Sequence, residues 1–429
     1  MGKKNLKGSY SSIKVDAHQN HWALFIDNTS DHSAFIENIL GNNAPEPFES
    51  FKGLRGGLFS KLALITLIEE ESRHGDSGIT KGTDQLLQTM SSGEQKRILL
   101  NYLLESKPQF LILDNPFDNL DKEFQIQFKA QIKTIAEKVP IIQIVSRKGD
   151  LLPFIENHAQ LVGDEIVLLP SPIESFNPKN KQGFNGSIPQ PLKHIDYSDE
   201  ILIEIKNVNV SYEDRQILKD ISWRIKRGEF WELSGKNGSG KTTILSMITG
   251  ENPKGYGQEL YLFGRKKGTG ESVWDIKKNI GYFTPSMTDK FTGYHSVENM
   301  MISGILDSVG LYVRPTEAQL RLAREWLQLL NMWHLKDTLF HDLTMGQKRL
   351  VMTTRAMVKH PLLLILDEPT AGLDDRSAIM LVSLVNKMAK ESNSTIIFVS
   401  HREEPNLQPQ FKYRLAENKY GSKGKIVMP

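Results

Sequence analysis

Apolar runs of strand length recur along the chain, separated by stretches with helical spacing. HWALFI (21–26), FLILD (110–114) and IIQIVS (141–146) mark the first half, and FWELS (230–234), LLLILD (362–367) and TIIFVS (395–400) repeat the arrangement in the second. Buried strands that alternate with helices predict an α/β fold with a parallel-sheet core in each half. Between residues 201 and 226, apolar and polar positions alternate in three short pieces, which predicts antiparallel strands over a sheet edge. The first half compresses this region.

The repetition extends to particular residues. MSSGEQKR (90–97) followed by FLILDNPFDNLD (110–121) matches LTMGQKRL (343–350) followed by LLLILDEPTAGLD (362–374). Gly93 precedes Asp114 by 21 residues and Gly346 precedes Asp367 by 21, so the elements between them have equal length. Residues 22–41 align without a gap on 231–250, a constant offset of 209. An internal duplication follows: one domain over 1–169, a second over 200–429, and a linker over 170–199 that holds five prolines and shows no helical or alternating period. The helical segment is shortened in the first domain, where positions 41 and 90 lie 49 apart against 93 for positions 250 and 343.

Composition adds exclusions. The 429 residues, 39% hydrophobic, are enough for two ordinary cores. With 53 basic and 51 acidic side chains the net charge is +2, which gives no direct signal for a nucleic-acid or membrane-surface partner. The absence of cysteine rules out disulfides, thiolate zinc and iron–sulfur clusters, so any metal would be hard and oxygen-bound. No apolar run approaches the roughly 18 to 20 residues of a membrane helix, and residues 1–12 lack the apolar core of a signal peptide. The expected location is cytoplasmic.

The candidate chemistry is concentrated in the second half. GKNGSGKT (235–242) follows a strand-like run and opens the helical TTILSMITG, the context a phosphate-binding loop needs. Gly235, Gly238 and Gly240 permit tight backbone geometry. Successive N–H groups, through Asn237 and Ser239 to the helix start at Thr242 and Thr243, would then point at phosphate oxygens. Lys241 would reach the β- and γ-phosphates, and Thr242 would ligate Mg²⁺ through its hydroxyl. LLLILDEP ends in two carboxylates: Asp367 suits the surroundings of the metal, and Glu368 can polarise an attacking water.

These residues, with the MSSGE and LTMGQ segments, resemble the ATP-binding cassette (ABC) ATPases in both halves. The resemblance implies ATP as ligand, Mg²⁺ as cofactor and P-loop ATPase activity. It implies that Tyr212 stacks on adenine, that His401 contacts the γ-phosphate, and that residues 371–374 face a partner domain. Within the family, the tract GYGQELYLFGRKKGTGESVWDIKKNIGY (255–282) is similar to the ModF (photorepair protein PhrA) group, which carries two cassettes in one chain without a membrane domain. One departure concerns the metal: IGYFTPS places Ser286 where a glutamine is usual, and its hydroxyl would hold a metal-bound water at shorter reach. Arg265, Lys266, Lys267, Lys277 and Lys278 are expected on a solvated hairpin.

At the offset of 209, the first half has Ile26, Thr29 and Asp31 at the three glycine positions, with His32 and Ser33 in place of Lys241 and Thr242. Asn115 replaces Glu368, and Arg147 replaces His401. Side chains at glycine positions would block phosphate approach, and Asp31 would repel it. Ser91, Ser92 and Gly93 are kept and would present a helix N-terminus to a γ-phosphate. Cassettes pair head to tail, so one competent composite site per chain is expected, with Ser91 to Gly93 facing Lys241, Thr242, Asp367, Glu368 and His401. The two domains would pair intramolecularly. Function is expected as the ATP-hydrolysing subunit of an ABC-type system, peripheral at the inner face of the membrane on a permease, with the group resemblance suggesting molybdate or a related oxyanion. The alternative is a soluble, non-transport ATPase acting on nucleic acid, ribosomes or stress signalling.

Overall fold

The computed structural model describes residues 20–74, 85–170, 183–213, 215–291 and 293–428; residues 1–12 and the first part of the expected linker, 171–182, lie outside the described residues. The first half contains β1 (Trp22–Phe25), β2 (Gly56–Phe59), β3 (Phe110–Asp114), β4 (Ile141–Val145), β5 (Asn157–Val162) and β6 (Glu165–Leu169). They form one sheet in the order β2-β3-β4-β1-β5-β6, parallel except for the closing β5–β6 hairpin. The second half contains β7 (Ile201–Tyr212), β8 (Arg215–Lys226), β9 (Phe230–Gly235), β10 (Glu259–Leu262), β11 (Arg265–Lys266), β12 (Ile280–Phe283), β13 (Leu363–Asp367), β14 (Thr395–Ser400), β15 (Phe411–Ala416) and β16 (Lys423–Val427). Its main sheet runs β12-β13-β14-β9-β15-β16, the same topology, again closed by an antiparallel pair.

The continuous apolar runs are explained by burial on both faces. In β3, Leu111 and Leu113 enter one core while Phe110 and Ile112 enter the other. In β13, Leu364 and Leu366 face one cluster and Leu363 and Ile365 the second. Each strand ends on an aspartate, Asp114 or Asp367, at the sheet's carboxyl edge.

The alternating pattern of 201–226 forms the long β7–β8 hairpin, which joins β10 and β11 in a separate antiparallel sheet. Among the described residues of the first half no such sheet occurs, so its antiparallel edge is only the β5–β6 hairpin. The helical segment is longer in the second half, with helices Val297–Ser303, Glu317–Leu329 and Met345–Met357 against Lys61–His74 and Ser92–Glu105 in the first.

Part of the expected linker is tied down. Phe184 and Ile188 are buried in the same core as the second half's helices, the Ile188 N–H donates to Glu391 at 3.1 Å, and the Pro189 carbonyl lies 2.7 Å from His360 Nε2. Residues 183–199 therefore follow the surface of the second half. Phe184 and Ile188 fill sockets made by other elements, which leaves no local period to read.

The halves face each other with matching contacts. The backbone N–H of Asn237 donates to Asp121 at 3.3 Å, and that of Asn28, its counterpart, donates to Asp374 at 2.7 Å.

Candidate active site

β9 delivers the chain into the loop at Gly235, and the helix Lys241–Ile248 leaves it. Two glycines are required by close approach. A Cβ at Gly235 would lie 2.6 Å from Ser239 Oγ, and one at Gly240, where φ is +92°, would lie 2.4 Å from Leu218. Ser239 is fully buried with its hydroxyl turned inward. Lys241 curls over the loop, its ammonium donating to the carbonyls of Gly235 at 2.8 Å and Lys236 at 2.9 Å. Burial pulls its pKa down, against the charges of Glu368 and Asp367.

Beside this loop, β13 places Asp367 and Glu368. Burial, reinforced by the neighbouring Glu368 charge, pushes the Asp367 carboxyl up to about 6, and Tyr282 donates to it at 3.3 Å. For Glu368, burial acts in the same upward direction, but His401 and the charges of Lys241 and Arg402 outweigh it and hold the carboxyl below its ordinary value. His401 Nδ1 lies 3.1 Å from Glu368 Oε1, within ion-pair distance though not aligned as a hydrogen bond. Two adjacent carboxylates thus have their proton affinities driven apart.

A cleft of about 640 Å³ joins these groups to the other half. Its lining includes Tyr212, Gly238, Lys241, Thr242, Thr243, Ser286, Asp367 and Glu368 from the second half, and Ser92 and Asn119 from the first. Tyr212 stands 43% exposed at the mouth, its hydroxyl 2.8 Å from Asn252 Nδ2. Ser286 lies in the short helix Pro285–Lys290, whose first turn borders the cleft with Thr284.

The helix Ser92–Glu105 reaches the cleft by its N-terminus, and its three small residues are used differently. Ser91 is committed to a capping box with Glu94, while the Ser92 hydroxyl lines the cleft and donates to Asn119 O at 3.1 Å. Gly93 is buried away from the cleft: a Cβ there would lie 2.7 Å from the Phe124 ring. Gly93 therefore serves close helix packing, and Ser92 is the residue aimed at the cleft. Asn237 likewise spends its amide across the interface, donating to Asn119 O at 2.9 Å. Arg215, Ile217 and Asn119 also line the cleft but carry no motif in the sequence, since their placement depends on how the halves and the antiparallel sheet meet.

The corresponding region of the first half is turned on itself. Asp27 accepts from the Thr29 N–H at 2.9 Å, the Thr29 hydroxyl at 2.6 Å and the Ser30 hydroxyl at 2.9 Å, and Asp31 accepts from the Ser33 N–H at 2.9 Å. These N–H groups already face carboxylates rather than an incoming phosphate. His32 Nε2 lies 3.4 Å from Asp114, which raises the imidazole pKa. Asn115 accepts from the Ser146 N–H and hydroxyl at 3.0 and 2.9 Å.

Of the basic tract, Lys266 pairs with Glu259, Lys267 with Glu271 at 3.3 Å, Lys277 with Glu251 at 2.6 Å and Lys278 with Asp275 at 3.1 Å. Paired in this way, these lysines do not form a free surface for a polyanion, and Lys267, expected on a solvated hairpin, is instead buried with Glu271.

The ABC transporter family model matches residues 218–371. Over 76% of the chain the sequence is 36% identical to the ABC transporter ATP-binding protein ModF of Escherichia coli strain K12, covering 69% of that protein. The chain belongs to the ATP-binding cassette family of ATPases. An uncharacterised ABC transporter ATP-binding protein of Schizosaccharomyces pombe is 29% identical over 73% of the chain and 65% of its own length. Among solved structures, the tandem arrangement superposes on an RNase-L inhibitor with a TM-score of 0.60 and 16% identity, covering 95% of this chain and 85% of that one. A ribosome-bound archaeal ABCE1 with Pelota gives a TM-score of 0.64 at 15% identity, covering 96% and 75%. At these identities the likeness is one of fold: two cassettes in one chain. Among the described residues, no helix is long and apolar enough to cross a membrane.

Proposed function

We propose that this cassette pair hydrolyses ATP at one composite site per chain. The observation that supports the reading most directly is the shared lining of the cleft, where Ser92 and Asn119 of the first half meet Lys241, Thr242, Asp367 and Glu368 of the second. In the proposed complex Tyr212 stacks on the adenine, and the loop N–H groups from Asn237 to Thr243 and the Lys241 ammonium bind the phosphates. Glu368, ionised at neutral pH, accepts a hydrogen bond from the attacking water and orients it in line with the γ-phosphate; His401, beside Glu368, contacts the same phosphate. Ser92 and its helix N-terminus cover the γ-phosphate from the other side.

The hydroxyls of Thr242 and Ser286 and the Asp367 carboxylate are hard oxygen donors around one cleft, and they fit a divalent ion. No group of three or more His, Asp or Glu side chains suited to a metal occurs among the described residues, so nucleotide oxygens and water would complete the shell. When bound, Mg²⁺ would neutralise charge on the β- and γ-phosphates.

The destination of the work follows the ModF likeness: an ATPase subunit of an ABC-type system, peripheral to a permease, for molybdate or a related oxyanion. Affinity purification of the Glu368→Gln chain held with ATP tests this. Co-purification of an integral membrane permease supports it. Recovery of a ribosomal or other soluble complex, with oxyanion uptake unchanged on deletion, points to the non-transport alternative.

A further inference from the structure

Arg147 stands where His401 stands in the second half, yet it does not face its own loop. Its guanidinium crosses to the other half: Nε donates to the Leu373 carbonyl at 2.8 Å, Nη2 to the Thr370 carbonyl at 2.6 Å, and Nη1 lies 3.3 Å from both carboxylate oxygens of Glu404. Both side chains are shielded, 11% and 1% exposed, and Glu404 also accepts from the Thr370 hydroxyl at 2.6 Å. Nearby, the Lys148 N–H donates to Asp375 at 2.9 Å and the Asn28 N–H to Asp374 at 2.7 Å. The first half thus holds the segment 370–375, which begins two residues after Glu368.

His401 is moored in the same sense. Arg402, the next residue, donates to Asp150 at 2.8 Å and to the Phe117 carbonyl at 2.8 Å, and it lies 3.7 Å from Asp118. Phe117 and Thr370 occupy the same position in the two copies, three residues beyond Asp114 and Asp367. The two arginines form a reciprocal pair of clamps about the pseudo-twofold relation of the halves.

We propose that Arg147 is a positioning residue for hydrolysis at the other half's site: with Arg402 it holds the halves together through contacts that involve no nucleotide, and it fixes the 370–375 loop that follows Glu368. This rests on the reading that Glu368 and His401 serve hydrolysis. The chemistry suits arginine specifically. A guanidinium offers five donors in a rigid fork, enough for two carbonyls and a carboxylate, whereas an imidazole offers at most two and an ammonium has no fork. Removing Arg147 would leave Glu404 buried beside unpaired carbonyls. The degenerate half has therefore exchanged a phosphate contact for a structural grip on the competent one.

The chain has no cysteine of its own, so labels placed at the exposed positions Lys133 and Lys390 (K133C and K390C) report one distance between the halves. Pulsed electron–electron spectroscopy should give a single distance in the nucleotide-free protein that ATP leaves unchanged. In Arg147→Ala a second, longer distance should appear and collapse when ATP is added. The same variant should lose about 10- to 100-fold in kcat through misplacement of Glu368, with KM for ATP within about twofold. Arg147→Lys should recover part of the closure and part of kcat. Should Arg147→Ala not fold, Arg147→Lys and Glu404→Gln give the same two readouts. A wild-type protein that stays open until ATP is added, or an Arg147→Ala kcat within about twofold of wild type, overturns the proposal. The distance measurement needs no turnover, so an inactive wild-type chain would count against the proposed function separately from the clamp.

Discussion

Glu368 and Asn115 share one backbone conformation at the ends of equivalent strands, with φ of +51° and +41°. Each N–H donates to the neighbouring strand, Glu368 to Val399 at 2.9 Å and Asn115 to Ile144 at 3.0 Å. Asparagine tolerates this left-handed region well and glutamate poorly, so the second half keeps backbone strain where its carboxylate meets the cleft, and the first half has relieved it. Glu368→Gln is expected to retain ATP binding while turnover falls by about 10²- to 10⁴-fold, read as bound nucleotide against phosphate release. Turnover equal to wild type would remove Glu368 from the reaction. Lys241→Ala should abolish detectable ATP binding in a fluorescence titration, because the buried ammonium is the loop's fixed positive charge. At the relict site, Asp114 holds the His32 pKa above its ordinary 6.5. The stabilisation from that contact is fully present below pH 6.5 and is lost as pH rises through the folded value. An NMR titration should show His32 moving to lower pKa in Asp114→Asn; no movement would mean that the pair is not formed.

The helix Ser92–Glu105 and its counterpart Met345–Met357 begin alike, each with a capping box, Ser91 with Glu94 and Thr344 with Gln347. Each holds the loop after its own aspartate: Lys96 donates to the Asp118 carbonyl at 2.7 Å, and Arg349 donates to the equivalent Ala371 carbonyl at 3.3 Å. The MSSGE element thus remains intact although the loop it once accompanied is altered. Since Ser92 lines the cleft, Ser92→Glu should lower turnover at least about tenfold despite lying in the other half, by placing a carboxylate near the γ-phosphate. Full activity in steady-state assays would mean that this helix does not cover the competent site. The parallel-sheet core of each half was legible at this scale, since buried apolar runs ending in Asp114 and Asp367 mark both sheets. The roles within MSSGE were not. Which of three small residues caps, lines or packs depends on Phe124 and Asn119, which sequence spacing cannot place.

At the scale of the whole molecule, the duplication gives two sheets of one topology and a pseudo-twofold interface. Its two ends differ in chemistry. The offset of 209 was enough to show that the first loop had lost its glycines and lysine. What the sequence could not show is where the substituted side chains went. Arg147 bonds to residues more than 200 positions away, and residues 183–199 lie along the second half. The central expectation is one-sided catalysis on a symmetric frame. Equilibrium binding of ATP with Mg²⁺ to the Glu368→Gln chain, counted by calorimetry, tests it most directly. One nucleotide per chain, lost in Lys241→Ala, is the expected result; two nucleotides per chain, or one that survives Lys241→Ala, would contradict it.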